Sequence, residues 1–169
     1  MSASFKQTQS ALNKFAKYVI QQSRSNLSKQ KKNVSSDLYG SLGYDLNVSP
    51  NSFSLEFYML PYGEFIDKGV SGTKKRYTTI YEYTNKKPPM QPLMEWAKAR
   101  NIRLRDEKGK YKKGNYRTIG FILQKSIYEK GIKPSLFFTK PFEKAFDNLP
   151  TELIEKFGLD IDNLLEFTT

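Results

Sequence analysis

The sequence predicts an α+β fold: a long N-terminal helix packed on a small antiparallel sheet, with further helices and extended interface loops. Three observations predict it. Apolar residues first recur at helical spacing, the period then changes to two, and the rest of the chain returns to helical stripes broken by proline and glycine. The 169 residues are enough for one proper core.

Phe5, Leu12, Phe15, Ala16, Val19, Ile20 and Leu27 fall on one helical face, with Lys6, Lys14, Lys17 and Arg24 on the other. This predicts an amphipathic helix from about residue 4 to about residue 29. Lys29 to Ser36 is polar and reads as a loop, with Ser36 or Asp37 able to cap a short turn. Leu42, Tyr44, Leu46 and Val48 then alternate with polar residues or glycine, Ser49-Pro50-Asn51-Ser52 signals a turn, and Phe53, Leu55, Phe57 and Met59 alternate again. The pattern is an antiparallel hairpin with one face covered by a core element.

Pro61 ends the second strand, and "YGEFIDKG" has room for one or two helical turns closed by Gly69. "RYTTIYEYT" is β-prone and reads as a third strand or an ordered arm. The prolines of "NKKPPMQPLMEWAKARN" suit a helix start, and Leu93, Met94, Trp96 and Ala97 predict a short buried helix, with Trp96 filling core. "RLRDEKGKYKKG" reads as a charged loop, and Tyr116, Ile119, Gly120, Leu123 and Ile127 as a helical stripe ended by Gly131. Pro141 starts a helix carrying Phe142, Ala145, Phe146 and Leu149, which Pro150 breaks or kinks. The final stretch, from Leu153 to Phe167, is apolar enough to need a covering surface. Residues 1–150 are therefore expected to form a single α+β domain with a basic inserted arm at about 70–117, and 151–169 a C-terminal tail extension.

The chain has no Cys and no His. Disulfides, thiol nucleophiles, Ser-His-Asp triads, Cys/His zinc sites and histidine acid-base catalysis are excluded together. No apolar run approaches the roughly 18 residues of a membrane-spanning helix, and the N-terminus lacks a signal-peptide block, so a soluble, non-exported chain is expected. The net charge of +11 is concentrated: residues 68–117 hold 15 Lys and Arg against 4 Asp and Glu. That segment should attract polyanions or an acidic protein surface, more weakly as salt rises.

Two constellations invite a chemical reading. Glu64 and Asp67 share a helical face and, with Lys68, resemble a fragment of a metal-dependent nuclease site. A metal site needs more ligands than this pair, so a solvated or interface-paired turn is the stronger reading, and the sequence predicts no catalytic residue, no metal and no cofactor. Tyr77, Tyr81 and Tyr83, interleaved with Lys74, Lys75, Arg76, Lys86 and Lys87, can pair stacking with phosphate contact, but no sequence-reading signature accompanies them. Non-specific contact with a nucleic-acid backbone fits better.

The order of the segments resembles the tailed-bacteriophage tail-completion and neck family, the Z-like minor tail proteins. Leu38, Gly40 and Leu42 are similar to the family's "TG-x-L-x-x-S" element before the first strand. Tyr62, Ile66, Gly69 and Thr73 are similar to its "Y-A-x-x-V-E-x-G-T", and Phe137, Phe138, Pro141, Phe142 and Ala145 to its "P-F-L-x-P-A". Asp67 stands for the family's glutamate, Lys68 is inserted, and Val70-Ser71-Gly72 separates Gly69 from Thr73.

The resemblance implies a structural virion protein, not an enzyme: a homo-oligomeric, hexameric ring in the head-tail connector, neck or tail-completion region, assembled in the host cytoplasm. Its expected neighbours are head-tail connector, portal-side or tail-tube proteins, with non-specific contact to double-stranded DNA in the channel and none to membrane. Tyr62, Phe65, Asp67, Gly69 and Gly72 would form an interface corner. Lys74, Lys75, Arg76, Lys86, Lys87, Arg103, Arg105, Lys110, Lys112 and Lys113 would face DNA or a neighbouring ring. The alternative is a non-specific nucleic-acid-binding accessory protein.

Overall fold

The structure, a computed structural model of the chain, describes residues 5–32, 36–49 and 52–166. The elements run α1 (Lys6–Lys29), α2 (Asp37–Ser41), β1 (Gly43–Ser49), β2 (Ser52–Tyr58) and α3 (Tyr62–Lys68). They continue with α4 (Met90–Ala99), α5 (Tyr116–Lys130), α6 (Thr139–Phe146) and α7 (Leu149–Glu166). The fold is α+β, as the sequence predicts. It divides into two compact units, one formed by residues 1–60 with 136–169 and the other by residues 61–135.

In the first unit α1 is the spine. Ala11, Leu12, Phe15, Ala16, Val19, Ile20 and Leu27 are buried along the stripe the sequence marks out. The helix ends in a left-handed turn at Lys31, whose amide bonds the Ser28 carbonyl while that of Lys32 bonds the Leu27 carbonyl. This doubled closure satisfies carbonyls that a helix end leaves open. β1 and β2 pair antiparallel with Tyr44 opposite Phe57, Leu46 opposite Leu55 and Val48 opposite Phe53, so the alternating residues share one face. The turn predicted at Pro50-Asn51 lies outside the described residues, as do the residues 33–35 of the predicted polar loop and Phe167.

The face of the hairpin closes on α1 and on the returning chain. Phe15 meets Phe57 and Phe142 edge to face, and Phe57 meets Phe138 and Phe142 the same way. Val19 and Leu149 complete this core, with Leu55, Ala145 and Leu153 at its margin. Edge-to-face rings add to the burial of their area, by about 0.5–1.5 kcal/mol per pair. The chain breaks between α6 and α7 at Asp147-Asn148, and Pro150 sits in the first turn of α7, where a missing amide costs no hydrogen bond. The segment expected as a tail extension forms most of α7, which lies against α1.

In the second unit α4 packs on α5. Met90 and Met94 close over Gly120, and Ala97 is fully buried. These residues define one helical face, and Trp96 lies off it. Trp96 is 41% exposed, which corrects the expectation that it fills core. "RYTTIYEYT" forms neither a regular third strand nor a helix: its one bridge pairs Glu82 with Ser71. Bonds from the Ser71 and Thr79 side chains to backbone atoms hold this stretch in place of a ladder.

Candidate functional site

The corner is built from α3 upward. Pro61 opens the helix, and its carbonyl end is closed by Ser135, whose amide and hydroxyl both donate to the Ile66 carbonyl. Gly69 leaves the helix at φ +75°, a conformation that disfavours any residue with a Cβ. Val70 then pairs antiparallel with Ile132, while Thr73 and Lys74 donate to the Tyr128 and Glu129 carbonyls.

Ser71, buried at 2% exposure, ties the corner to the tyrosine-rich stretch. Its amide donates to the Tyr81 carbonyl, its carbonyl accepts from the Tyr83 amide, and its hydroxyl bonds the Tyr77 backbone. Of the five predicted corner residues, Asp67, Gly69 and Gly72 are therefore interior to this unit, and Tyr62 and Phe65 are exposed. Phe65 packs edge to face on Tyr81.

Glu64 and Asp67 do not converge on a shared ligand position. Glu64 is held by Lys68 at 2.7 Å, and Asp67 is buried. The Lys68 ammonium, and then the Tyr81 hydroxyl, hold the Glu64 carboxyl below its usual range, and Glu64 in turn raises Lys68 and Tyr81. Among the described residues no group of three or more acidic side chains gathers as a metal site.

The predicted basic residues separate into two kinds. Lys74 pairs with Glu129 at 3.0 Å, Arg76 pairs with Glu82, Lys75 covers the Tyr77 ring and Lys87 the Tyr128 ring. Lys86 is exposed. These residues are partly occupied within their own unit, and Lys74 correspondingly lowers the pKa of Glu129.

Residues 103–113 differ. Arg105 bridges Tyr111 antiparallel, the Lys112 amide donates to the Leu104 carbonyl, and the Asp106 amide donates to the Lys110 carbonyl. The Asp106 carboxylate accepts the amides of Lys108 and Lys110, which closes the turn at Gly109. What reads as a charged loop is thus a small hairpin. Its signal in the sequence is the alternation Arg103, Arg105 before "DEKG" and Tyr111, Lys113 after it. A cavity of about 340 Å³ opens beside it, lined by Ile102, Leu104, Tyr116 and Ile119 with Tyr111 and Lys112.

A larger cleft of about 820 Å³ lies in the first unit beside α1. Lys17 and Arg24 line it, and Arg24 is engaged: Nε and Nη2 donate to the Tyr39 and Leu42 carbonyls and the guanidinium covers the Tyr39 ring. The cleft reads as the seam between α1 and the α2–β1 connection. No protein-family model, no curated protein and no solved structure matches the chain.

Proposed function

We propose that the chain is a structural subunit of a ring in the neck or tail-completion region of a tailed bacteriophage, joining head to tail around the DNA channel. One observation carries the reading. The first and third segments that resemble the Z-like minor tail proteins belong to one compact unit: Leu38 and Leu42 are buried in it, and Phe138 and Phe142 close on Phe15 and Phe57. The second segment spans α3 and the turn that follows it, and α3 follows β2 with no intervening element. The order of helix, hairpin and corner supports the reading.

Surface chemistry supports the same reading. The sheet has two strands, so each keeps one edge to which a neighbouring chain can add. Large apolar side chains stay exposed in both units, among them Phe146, Ile154 and Leu165 in the first and Phe65, Ile80 and Phe121 in the second. Contacts between different faces of identical subunits close into a ring when the rotation permits. The hexameric count comes from the resemblance alone. In this reading the chain performs no chemistry, and its neighbours are a portal-side connector and the tail tube.

The test is the particle. Gold-labelled antibody against the chain should mark the head-tail junction of the virions that carry it. Label on the capsid shell or on fibres, or particles without the protein, would sink the reading.

A further inference from the structure

We infer that the hairpin of residues 103–113 is a binding surface for the phosphate backbone of double-stranded DNA, and that the ion-paired Lys74 and Arg76 are not. The basic segment looks uniform in the sequence, but the fold divides it. Lys74 and Arg76 have carboxylate partners within their own unit, Glu129 and Glu82. The hairpin holds six Lys and Arg against two carboxylates, and none of the six forms an ion pair among the described residues. Of the two carboxylates, Asp106 is turned inward to the backbone amides of Lys108 and Lys110. Its charge serves the turn.

The geometry makes one face of these charges. The Arg105–Tyr111 bridge brings Arg105 beside Tyr111, Arg103 reaches over the same ring, and Lys113 is exposed two residues beyond it. The guanidinium groups of Arg103 and Arg105 sit 5.6 and 4.7 Å from the centre of the Tyr111 ring, and Arg105 also donates to its hydroxyl. Tyr111 is nonetheless 66% exposed, so the ring supports the arginines without covering them. Both arginines stay exposed while held by the ring and by hydrogen bonds, Arg103 Nε donating to Asn101 Oδ1 and Arg105 Nη1 to the Gly109 carbonyl.

Composition selects the partner. The centres of protein–protein interfaces are depleted in charge, and in lysine above all, whereas DNA-binding surfaces are strongly positive. A face of Arg103, Arg105 and Lys113, flanked by Lys108, Lys110 and Lys112, is of the second kind. A two-stranded ribbon also fits the major groove, about 12 Å wide, and arginine, lysine and tyrosine are standard donors to phosphate. No base-reading pair stands out, so the contact is with the backbone. This inference stands on the hairpin's own chemistry and not on the neck assignment, so the two fail separately.

The test uses the full chain and a short fluorescein-labelled duplex of mixed sequence, followed by anisotropy between about 50 and 200 mM salt. Arg103→Ser/Arg105→Ser/Lys113→Ser should weaken binding at least about tenfold and reduce the slope of log K against log salt by roughly 3, near 0.9 for each phosphate no longer neutralised. Lys74→Ser/Arg76→Ser should change affinity less than about threefold. The single variants Arg103→Gln and Lys113→Gln leave the Arg105–Tyr111 bridge untouched, and each should remove about one from the slope. Unchanged thermal melts keep a folding defect from imitating these losses. The inference is overturned if the native chain does not bind duplex at about 50 mM salt, if both multiple variants lose binding equally, or if labelled polyglutamate binds as tightly as the duplex.

Discussion

Asp160 shows how a single carboxylate can cap a helix from the other end of a chain. Helix α1 opens with no side-chain cap from Phe5 and no acid in its first turn. Its early amides instead donate to Asp160 of α7, from Gln7 at 3.0 Å and Thr8 at 2.9 Å, and the Thr8 hydroxyl adds a third bond. Burial alone raises the Asp160 pKa and is the largest single influence, yet the three hydrogen bonds together outweigh it and the carboxyl ends below its ordinary value of 3.8. A carboxyl whose folded pKa is depressed stabilises the fold at pH above its unfolded value, and that contribution is lost as pH falls through the folded value. Asp160→Ala should therefore cost about 1–2 kcal/mol at neutral pH. The gap between variant and native chain should narrow as pH drops below the ordinary aspartate range. Thermal melts from neutral to acid pH measure this, and a gap that is constant with pH would contradict it.

At the scale of elements, the second unit depends on the close pairing of residues 69–74 with residues 128–132. The two segments approach so nearly that a Cβ on Gly72 would overlap the Glu129 carbonyl and the Gly131 amide, all of them backbone. Backbone cannot swing aside as a flexible side chain can. Gly72→Ala is expected to cost about 1–3 kcal/mol and to accelerate amide exchange at Val70 and Thr73, whose bonds cross this seam. Gly40 is the matched control. It lies in α2 with no atom within 4 Å of a built Cβ, so Gly40→Ala should be neutral or stabilising by up to about 1 kcal/mol. Equal effects at both positions would mean that the seam is not tight.

Over the whole molecule, charge follows the division into units. Residues 61–135 hold 18 Lys and Arg against 7 Asp and Glu, the entire net +11, while the rest of the chain holds 10 of each sign. One unit is an apolar, electrically balanced core of helices and hairpin, and the other carries the field that draws polyanions. Within that unit Glu64 is committed to Lys68 and Asp67 is buried, so neither is presented as a free carboxylate beside a bound polyanion. Duplex DNA incubated with the chain and Mg²⁺ or Mn²⁺ is expected to stay intact on gels. Metal-dependent cleavage abolished by Glu64→Ala would show the opposite.

The periodic elements were legible in the sequence because their signal is local. The α1 stripe from Leu12 to Leu27 and the alternation from Tyr44 to Phe57 each state which face must be buried, whatever covers it. Part of the candidate site was legible in the same way: the basic segment, the corner glycines and the Glu64–Lys68 spacing are all visible in a linear reading. The assignment of partners was not. Nothing near Lys74 in sequence reveals that its partner is Glu129, or that Arg103 and Arg105 converge on the Tyr111 ring. Trp96 likewise reads as core because a lone tryptophan usually is, and the packing of Met90, Met94 and Ala97 on α5 turns it outward. Asp160 leaves a trace, an acid on the apolar face of α7, but its meaning lies at the N-terminus of α1. Local pattern determines which side of an element seeks cover. Only tertiary packing decides which charges meet, because pairing depends on distances between segments that the chain order does not contain.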